Sequence, residues 1–121
     1  VLNGWIYSLY GLYDLSLATN GPQIDNALDD SLAALVAYLP RYDAGYWSYY
    51  DTRGNLASPY YHREHIVLLE GLEMTFPKYS DVFGEMGRRF QKQMASPANR
   101  LRAVCCKAIQ KLRNPPDLIL K

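Results

Sequence analysis

The sequence is poor in the residues that mark several common kinds of site. It has two cysteines in 121 residues, Cys105 and Cys106, and a disulfide between neighbours would close a strained ring. It contains no C-x-x-C spacing and no cluster of cysteine with histidine, so it predicts neither a zinc site nor a redox motif. We expect Cys105 to be buried and Cys106 to be half-exposed.

Charge of one sign and long apolar runs are also lacking. Thirteen basic and 12 acidic side chains leave a formal net charge of +1, which argues against nucleic acid as a partner. No apolar stretch approaches the roughly 18 residues that a membrane-spanning helix needs. Hydrophobic residues nevertheless make up 49% of the chain, too many for a disordered polypeptide, and the length fits one small domain.

Tyrosine is the residue in excess. The chain has 11 tyrosines against three phenylalanines and two tryptophans. A core that needed only aromatic volume could use phenylalanine, whereas a buried phenol hydroxyl usually finds a hydrogen-bond partner. The excess therefore indicates a wet, hydrogen-bonding surface such as a binding cleft.

The spacing of apolar residues predicts an all-α fold. Positions three and four apart indicate amphipathic helices over residues 2–17, 22–39, 60–74, 82–94 and 97–112. Prolines suited to a first helical turn begin three of them, and two more end the last: Pro22, Pro59, Pro97 and Pro115-Pro116. Over residues 44–50 the period changes to two, which predicts a short aromatic β-like hairpin inserted between helical hairpins.

The helices suit either of two arrangements, a small bundle of their own or an arc of a larger α/α toroid. The first helix is apolar on nearly all sides, which indicates burial on two faces and favours the arc. The fifth helix has an apolar stripe, expected to be buried, at Leu101, Val104, Cys105, Ala108, Ile109 and Leu112. Its other face could bind a polyanion, but we expect it to be solvated: Arg100, Arg102, Lys107, Lys111 and Arg113.

Residues 45–65 concentrate the side chains that could carry chemistry. On a helix that begins near residue 60, His62 and His65 share a face, and Tyr61 lies one turn before His65. A metal site would need a third ligand, which is not obvious. The histidines could be hydrogen-bonded structure among packed aromatic rings. Alternatively, the segment binds an anionic, hydroxyl-rich ligand, with Arg53 on a carboxylate and tyrosine or histidine as the acid/base group.

Two stretches of the sequence resemble a known family. Residues 1–15, V-L-N-G-W-I-Y-S-L-Y-G-L-Y-D-L, resemble the start of the conserved C-terminal segment of D-glucuronyl C5-epimerases. The strings Tyr50-Asp51-Thr52-Arg53, Asn55-Leu56-Ala57 and Tyr61-His62-x-x-His65 resemble the second half of that segment. The loop after Arg53 is shorter than in the family. The matching stretches extend over residues 1–72.

The resemblance implies that residues 1–121 form one helical domain, the C-terminal part of a larger α/α-toroid catalytic domain. It implies inversion of C5 in a heparosan-type polysaccharide, D-glucuronate to L-iduronate, by proton abstraction and reprotonation on the opposite face. Tyr50 and Tyr61 would be the catalytic residues, while Arg53, His62 and His65 would bind substrate. Arg53 would offset the charge of the enolate-like intermediate, to which a histidine could add a donor.

The same resemblance suggests the partners. They are an anionic uronic-acid polymer and the remainder of the chain's own catalytic domain. A second copy of the chain is a further possible partner, as a homodimer, and no cofactor or metal is expected. In animals the family works in the Golgi lumen. Since the family's other site residues lie outside these 121 residues, we expect the chain alone to be inactive.

Two other functions fit the same residues. A polysaccharide lyase also abstracts the C5 proton on an α/α toroid, and then expels the C4 substituent to give an unsaturated product that absorbs in the ultraviolet. A non-catalytic glycan-binding or structural helical domain would use the tyrosines for binding or packing alone. In that case, replacement of Tyr50 and Tyr61 by phenylalanine would find no activity to remove.

Overall fold

A computed structural model describes residues 1–19 and 21–113, which form an all-α fold as predicted. Its five α-helices are α1 (Leu2–Thr19), α2 (Pro22–Tyr38), α3 (Pro59–Thr75), α4 (Ser80–Ala95) and α5 (Pro97–Arg113). Short 3-10 helices, Leu39–Tyr42 and Pro77–Tyr79, follow α2 and α3. The predicted stop at Pro115-Pro116 lies outside the described residues. No helix in the described ranges is long and apolar enough to cross a membrane.

Serine and proline side chains define where the later helices begin. Ser58 precedes α3 and its hydroxyl accepts a hydrogen bond from the backbone N–H of Tyr61 at 3.3 Å. Ser96 caps α5 in the same way, through the N–H of Asn99 at 3.3 Å. A proline follows each serine. It takes the first helical position, where a backbone N–H would have no partner within the helix, so proline's lack of an N–H costs no hydrogen bond. These caps confirm the helix starts that the sequence predicts.

One hydrophobic core joins the first four helices. α1 packs on α2 and α3. α3 and α4 pack against each other as an antiparallel helical hairpin. The predicted apolar faces of α2 and α3 supply much of the buried surface, together with large side chains from α1 and α4: Leu2, Ile6, Leu9, Leu28, Leu32, Leu35, Ile66, Leu69, Leu72, Phe83 and Phe90. Tyr7, Leu15 and Leu17, on other sides of α1, are exposed within the described residues.

A second, smaller hydrophobic cluster lies in the loop between α2 and α3. It comprises Trp47, Leu56 and Ala57 from the loop and Ala103 from α5. The loop carries two isolated antiparallel bridges, Asp43 with Ser48 and Tyr49 with Leu56. The described residues contain no β-strand longer than these single-pair bridges. We call residues 43–58 the aromatic loop. α5 packs on this loop and also contacts α4.

The orientation of α5 differs from the sequence prediction. The apolar stripe is exposed at Leu101, Val104, Ile109 and Leu112, and Cys105 is exposed too. The prediction of a buried stripe and a buried Cys105 is therefore wrong, whereas Cys106 is half-buried as expected. The reason is that α5 docks through Ala103, Cys106, Lys107 and Gln110, which share a face and contact the aromatic loop.

Candidate functional site

Tyr50 and Tyr61 form a contacting pair. Tyr50 ends the aromatic part of the loop, where its N–H bonds to the carbonyl of Asn55 (2.6 Å) and its carbonyl accepts the N–H of Leu2 (3.1 Å). Tyr61 lies in the first turn of α3. The ring centroids are 4.8 Å apart and the ring planes are inclined by 55°. The structure thus brings together the two tyrosines that the sequence predicts to be catalytic.

The pair lines a cavity of about 390 Å³ together with Ser58, Lys107 and Lys111. Lys107 is half-buried and donates a hydrogen bond to the carbonyl of Leu56, whereas Lys111 is exposed at the next turn of α5. Burial, followed by the positive charge of Lys111, lowers the pKa of Lys107. Burial, followed by the neighbouring phenol of Tyr61, raises the pKa of Tyr50. Tyr50 is therefore a neutral phenol near pH 7.

The turn after Tyr50 is built around the carboxylate of Asp51. This carboxylate accepts hydrogen bonds from the backbone N–H groups of Arg53 (3.0 Å) and Asn55 (3.1 Å) and from the Asn55 amide (2.7 Å). Burial opposes ionisation of Asp51, but these bonds outweigh it and lower the pKa. Gly54 completes the turn with a φ of 86°. The side chain of Arg53 is exposed and does not line the tyrosine cavity.

The two histidines lie inside the fold, fully buried, and neither lines that cavity. The Nε2–H of His62 donates to the carbonyl of Phe90 (3.1 Å), so its Nδ1 is free to accept the backbone N–H of Ser48 (3.1 Å). The Ser48 hydroxyl lies 2.8 Å from His62 Nδ1 and 2.9 Å from His65 Nδ1. His65 Nε2 has no partner within the described residues.

Both imidazoles are neutral at physiological pH. Burial lowers the pKa of His62 to about 4. Burial, followed by the proximity of His62, lowers the pKa of His65 to about 3. Their hydrogen bonds join the aromatic loop, which carries Tyr50, to α3, which carries Tyr61, and to α4. This arrangement agrees with the alternative in which His62 and His65 are structural, hydrogen-bonded residues, and their bonds hold the aromatic loop in place.

For Lys107 and Lys111 the sequence left polyanion binding as the less favoured alternative. It placed both on a solvated face, because the apolar stripe of α5 was expected to dock on the fold. The signal available in the sequence was the grouping of Ala103, Cys106, Lys107 and Gln110 on one side of the helix. Small and polar residues at that spacing are less conspicuous than a stripe of leucine and valine.

A larger cavity, of about 600 Å³, lies between the aromatic loop and α4. It is lined by Gly45, Met86 and the ion pair of Asp43 with Arg89, whose atoms are 2.7 Å apart. These opposite charges pair with each other, and Asp43 also accepts hydrogen bonds from Gly45 and Gln93, so this aspartate is engaged in structural contacts. The tyrosine cavity is smaller, and it is the one lined by the two tyrosines that the family resemblance singles out. No group of three potential metal ligands occurs within the described ranges.

Comparison with known proteins shows the family to which the chain is similar. The family described as "D-glucuronyl C5-epimerase C-terminus" matches residues 1–92, a range that includes the tyrosine pair and ends before α5. An uncharacterized protein of Methanocaldococcus jannaschii is 34% identical over 65 residues, which are 54% of this chain and 21% of that protein. The chain therefore spans about a fifth of the length of this curated relative. No solved structure matches the chain.

Proposed function

Because the chain belongs to the D-glucuronyl C5-epimerase C-terminus family, we propose that it forms part of the catalytic site of a uronyl C5-epimerase. Its substrate is a heparosan-type polysaccharide in which D-glucuronate residues become L-iduronate. The observation that carries the proposal is the contact between Tyr50 and Tyr61 in one cavity with two lysines. No cofactor is required, because the reaction moves only a proton.

The chemistry suits phenols. The C5 proton of a uronate is a weak carbon acid, so a base of pKa near 10 matches it better than a carboxylate of pKa near 4. A base takes the proton from C5 on one face of the sugar, and the electron pair of the broken C–H bond moves onto the carboxylate. A second group then donates a proton to C5 from the other face. Cationic side chains stabilise the doubly negative enolate-like intermediate.

The contact between the two rings restricts how they can act. A pyranose between them would need about 3.5–4 Å of separation on each side, or about 7 Å between the ring faces. Centroids 4.8 Å apart leave no such space. Tyr50 and Tyr61 therefore serve one face of the sugar as an acid/base pair, and the group for the opposite face belongs to the remainder of the catalytic domain. On this proposal the chain supplies half of the site and is inactive alone.

The other candidate residues take supporting roles. Arg53 lies on the Asp51 turn, three residues after Tyr50, and its exposed guanidinium is a further cation for the acidic polymer. His62 and His65 are fully buried, so we assign them to orienting the tyrosine-bearing elements rather than to direct binding.

The test uses the complete gene product with heparosan in heavy water and follows deuterium at uronate C5 by NMR. We expect deuterium to appear together with iduronate signals, and Tyr50→Phe and Tyr61→Phe each to lower the rate by about 10²-fold or more, as for loss of an acid/base group. An ultraviolet-absorbing product would instead identify a lyase. A folded protein that neither exchanges C5 nor forms that product would overturn the catalytic proposal and leave glycan binding.

A further inference from the structure

Helix α5 lies outside residues 1–92, the range that the family matches, yet it is attached to the aromatic loop. Gln110 accepts the N–H of Leu56 (3.0 Å) and donates to the carbonyl of Gly54 (3.0 Å). Lys107 donates to the carbonyl of Leu56, and Ala103 is buried against the loop. These bonds join positions more than 50 residues apart in sequence. They fix α5 in register with the loop that carries Tyr50.

The same face of α5 gives the tyrosine cavity its positive charge. Lys107 and Lys111 are one turn apart, and both line the cavity beside Tyr50 and Tyr61. Neither lysine is in an ion pair within the described part of the chain. The nearby carboxylate of Asp51 is instead saturated by bonds from its own turn. Lys107 uses one of its three donors on Leu56, which leaves two for a ligand.

We propose that Lys107 and Lys111 bind the carboxylate of the uronate residue that reacts at the Tyr50–Tyr61 pair, which makes α5 part of the substrate site. The inference rests on the proposed function and adds the anion-binding group to it. Lys107, the more buried of the two, contacts the reacting carboxylate, and Lys111 attracts the polymer at the cavity mouth.

The charge balance explains why ammonium groups suit this position. As the C5–H bond breaks, the proton passes to the catalytic base and a second negative charge develops on the carboxylate oxygens. Lys107 keeps its own proton throughout and stabilises that charge by hydrogen bonds and proximity, and no bond to its nitrogen forms or breaks. A partly buried cation is worth more here than one in water, because the local dielectric constant is lower.

The experiment measures the steady-state kinetics of the complete gene product on heparosan, and its binding to heparosan and to heparosan whose carboxyl groups are reduced to alcohols. Lys107→Gln should lower kcat/KM by about 10- to 100-fold, as expected for a charged hydrogen-bond donor. It should also shrink the preference for heparosan over the carboxyl-reduced polymer. Lys107→Arg should retain most of that preference, and Lys111→Gln should raise KM with a smaller effect on kcat.

Two controls separate charge from structure. Arg100→Gln removes one positive charge from α5 at an exposed position beside a different cavity, and should leave kinetics and carboxyl preference unchanged. Gln110→Ala weakens the attachment of α5 to the loop while retaining both lysines. It should keep the preference for the carboxylated polymer even if the rate falls.

The outcomes distinguish this inference from the proposed function. If Lys107→Gln prefers heparosan over the reduced polymer as strongly as the parent does, the lysines are not the carboxylate site, whatever the C5 exchange shows. If the parent protein fails to exchange C5 but binds heparosan with a carboxyl preference that Lys107→Gln loses, the epimerase proposal fails and the lysine site stands.

Discussion

The indole of Trp47 lies parallel to the imidazole of His62, with ring centroids 3.8 Å apart and planes inclined by 14°. Both rings are fully buried. Trp47 also donates its Nε1–H to the carbonyl of Ala57 (3.0 Å), so one side chain joins both ends of the aromatic loop to α3. The stack therefore fixes the loop on the helix, and with it the position of Tyr50 relative to Tyr61.

The first prediction concerns the stability supplied by that stack. His62→Ala removes the ring beneath Trp47 and leaves the N–H of Ser48 and the carbonyl of Phe90 buried without their partner. We expect a loss of about 2–4 kcal/mol in the free energy of unfolding of this region. Chemical denaturation followed by tryptophan fluorescence measures it. Arg63→Ala, at the adjacent exposed position, is the control and should change stability little.

The second prediction is a loss of stability in acid. Folding lowers the pKa of His62 to about 4 and that of His65 to about 3 from an ordinary value of 6.5. Below pH 6.5 the unfolded chain binds protons that the folded chain does not, so stability falls as pH falls towards 4 and then 3. The slope approaches about 1.4 kcal/mol per pH unit for each histidine. Denaturation midpoints from pH 8 to pH 4 measure it.

A flat stability profile between pH 7 and pH 4.5 would contradict this assignment. His65→Gln removes one of the two titrating groups and should reduce the slope, even though it also lowers stability at neutral pH. The slope, rather than the stability at any single pH, identifies the buried imidazoles.

The third prediction concerns the turn that carries Tyr50. Asp51→Asn replaces a carboxylate with an amide, and the new NH₂ group faces the donor NH₂ of Asn55 where an acceptor stood. We expect the turn to loosen and kcat on heparosan to fall about tenfold with a small change in melting temperature. Thr52→Ala, at an exposed position of the same turn, should leave both unchanged. A kcat for Asp51→Asn equal to the parent's would show that the turn does not position Tyr50.

The fourth prediction concerns the contact between α1 and α3. The Tyr10 hydroxyl occupies the position that a β-carbon on Gly71 would take, and it hydrogen-bonds the carbonyl of Leu68 (3.3 Å). Gly71→Ala should therefore destabilise the fold by about 1–3 kcal/mol despite the better helix propensity of alanine. Tyr10→Phe in the same chain removes the clashing oxygen and should recover part of the loss.

Gly11 is the matched control for this contact. A β-carbon there meets nothing within 4 Å, so Gly11→Ala should stabilise the helix by up to about 1 kcal/mol. Thermal unfolding of the four proteins gives the comparison. Equal effects of alanine at positions 11 and 71 would contradict the close approach of Tyr10.

The helices were predictable because their signals are local. Apolar spacing extends over neighbouring turns, serine–proline pairs mark the starts of α3 and α5, and the buried faces of α2 and α3 follow from the same period. Residue types and spacing indicated only that tyrosine or histidine could act as the acid/base group. The choice of Tyr50 and Tyr61 came from the family resemblance.

The docking of α5 was not predictable, because periodicity shows which residues share a face but not which face meets the fold. Leu101 and Leu112 have the apolar character of core residues, yet they are exposed in the described part of the chain. Ala103 and Gln110 dock instead, since their size and hydrogen bonds complement the loop's backbone. Such complementarity exists only once both surfaces are formed.

The sequence by itself determined five helices, the serine caps of α3 and α5 and an aromatic segment between α2 and α3, because each depends on residues close together in the chain; its family resemblance picked out the two tyrosines. Tertiary structure decided the rest. It buried His62 and His65 inside the fold, left Arg53 exposed and outside the lining of the tyrosine cavity, and brought Lys107 and Lys111 to the phenols from a helix about 50 residues further along. Long-range packing and backbone hydrogen bonds between separate elements made those choices.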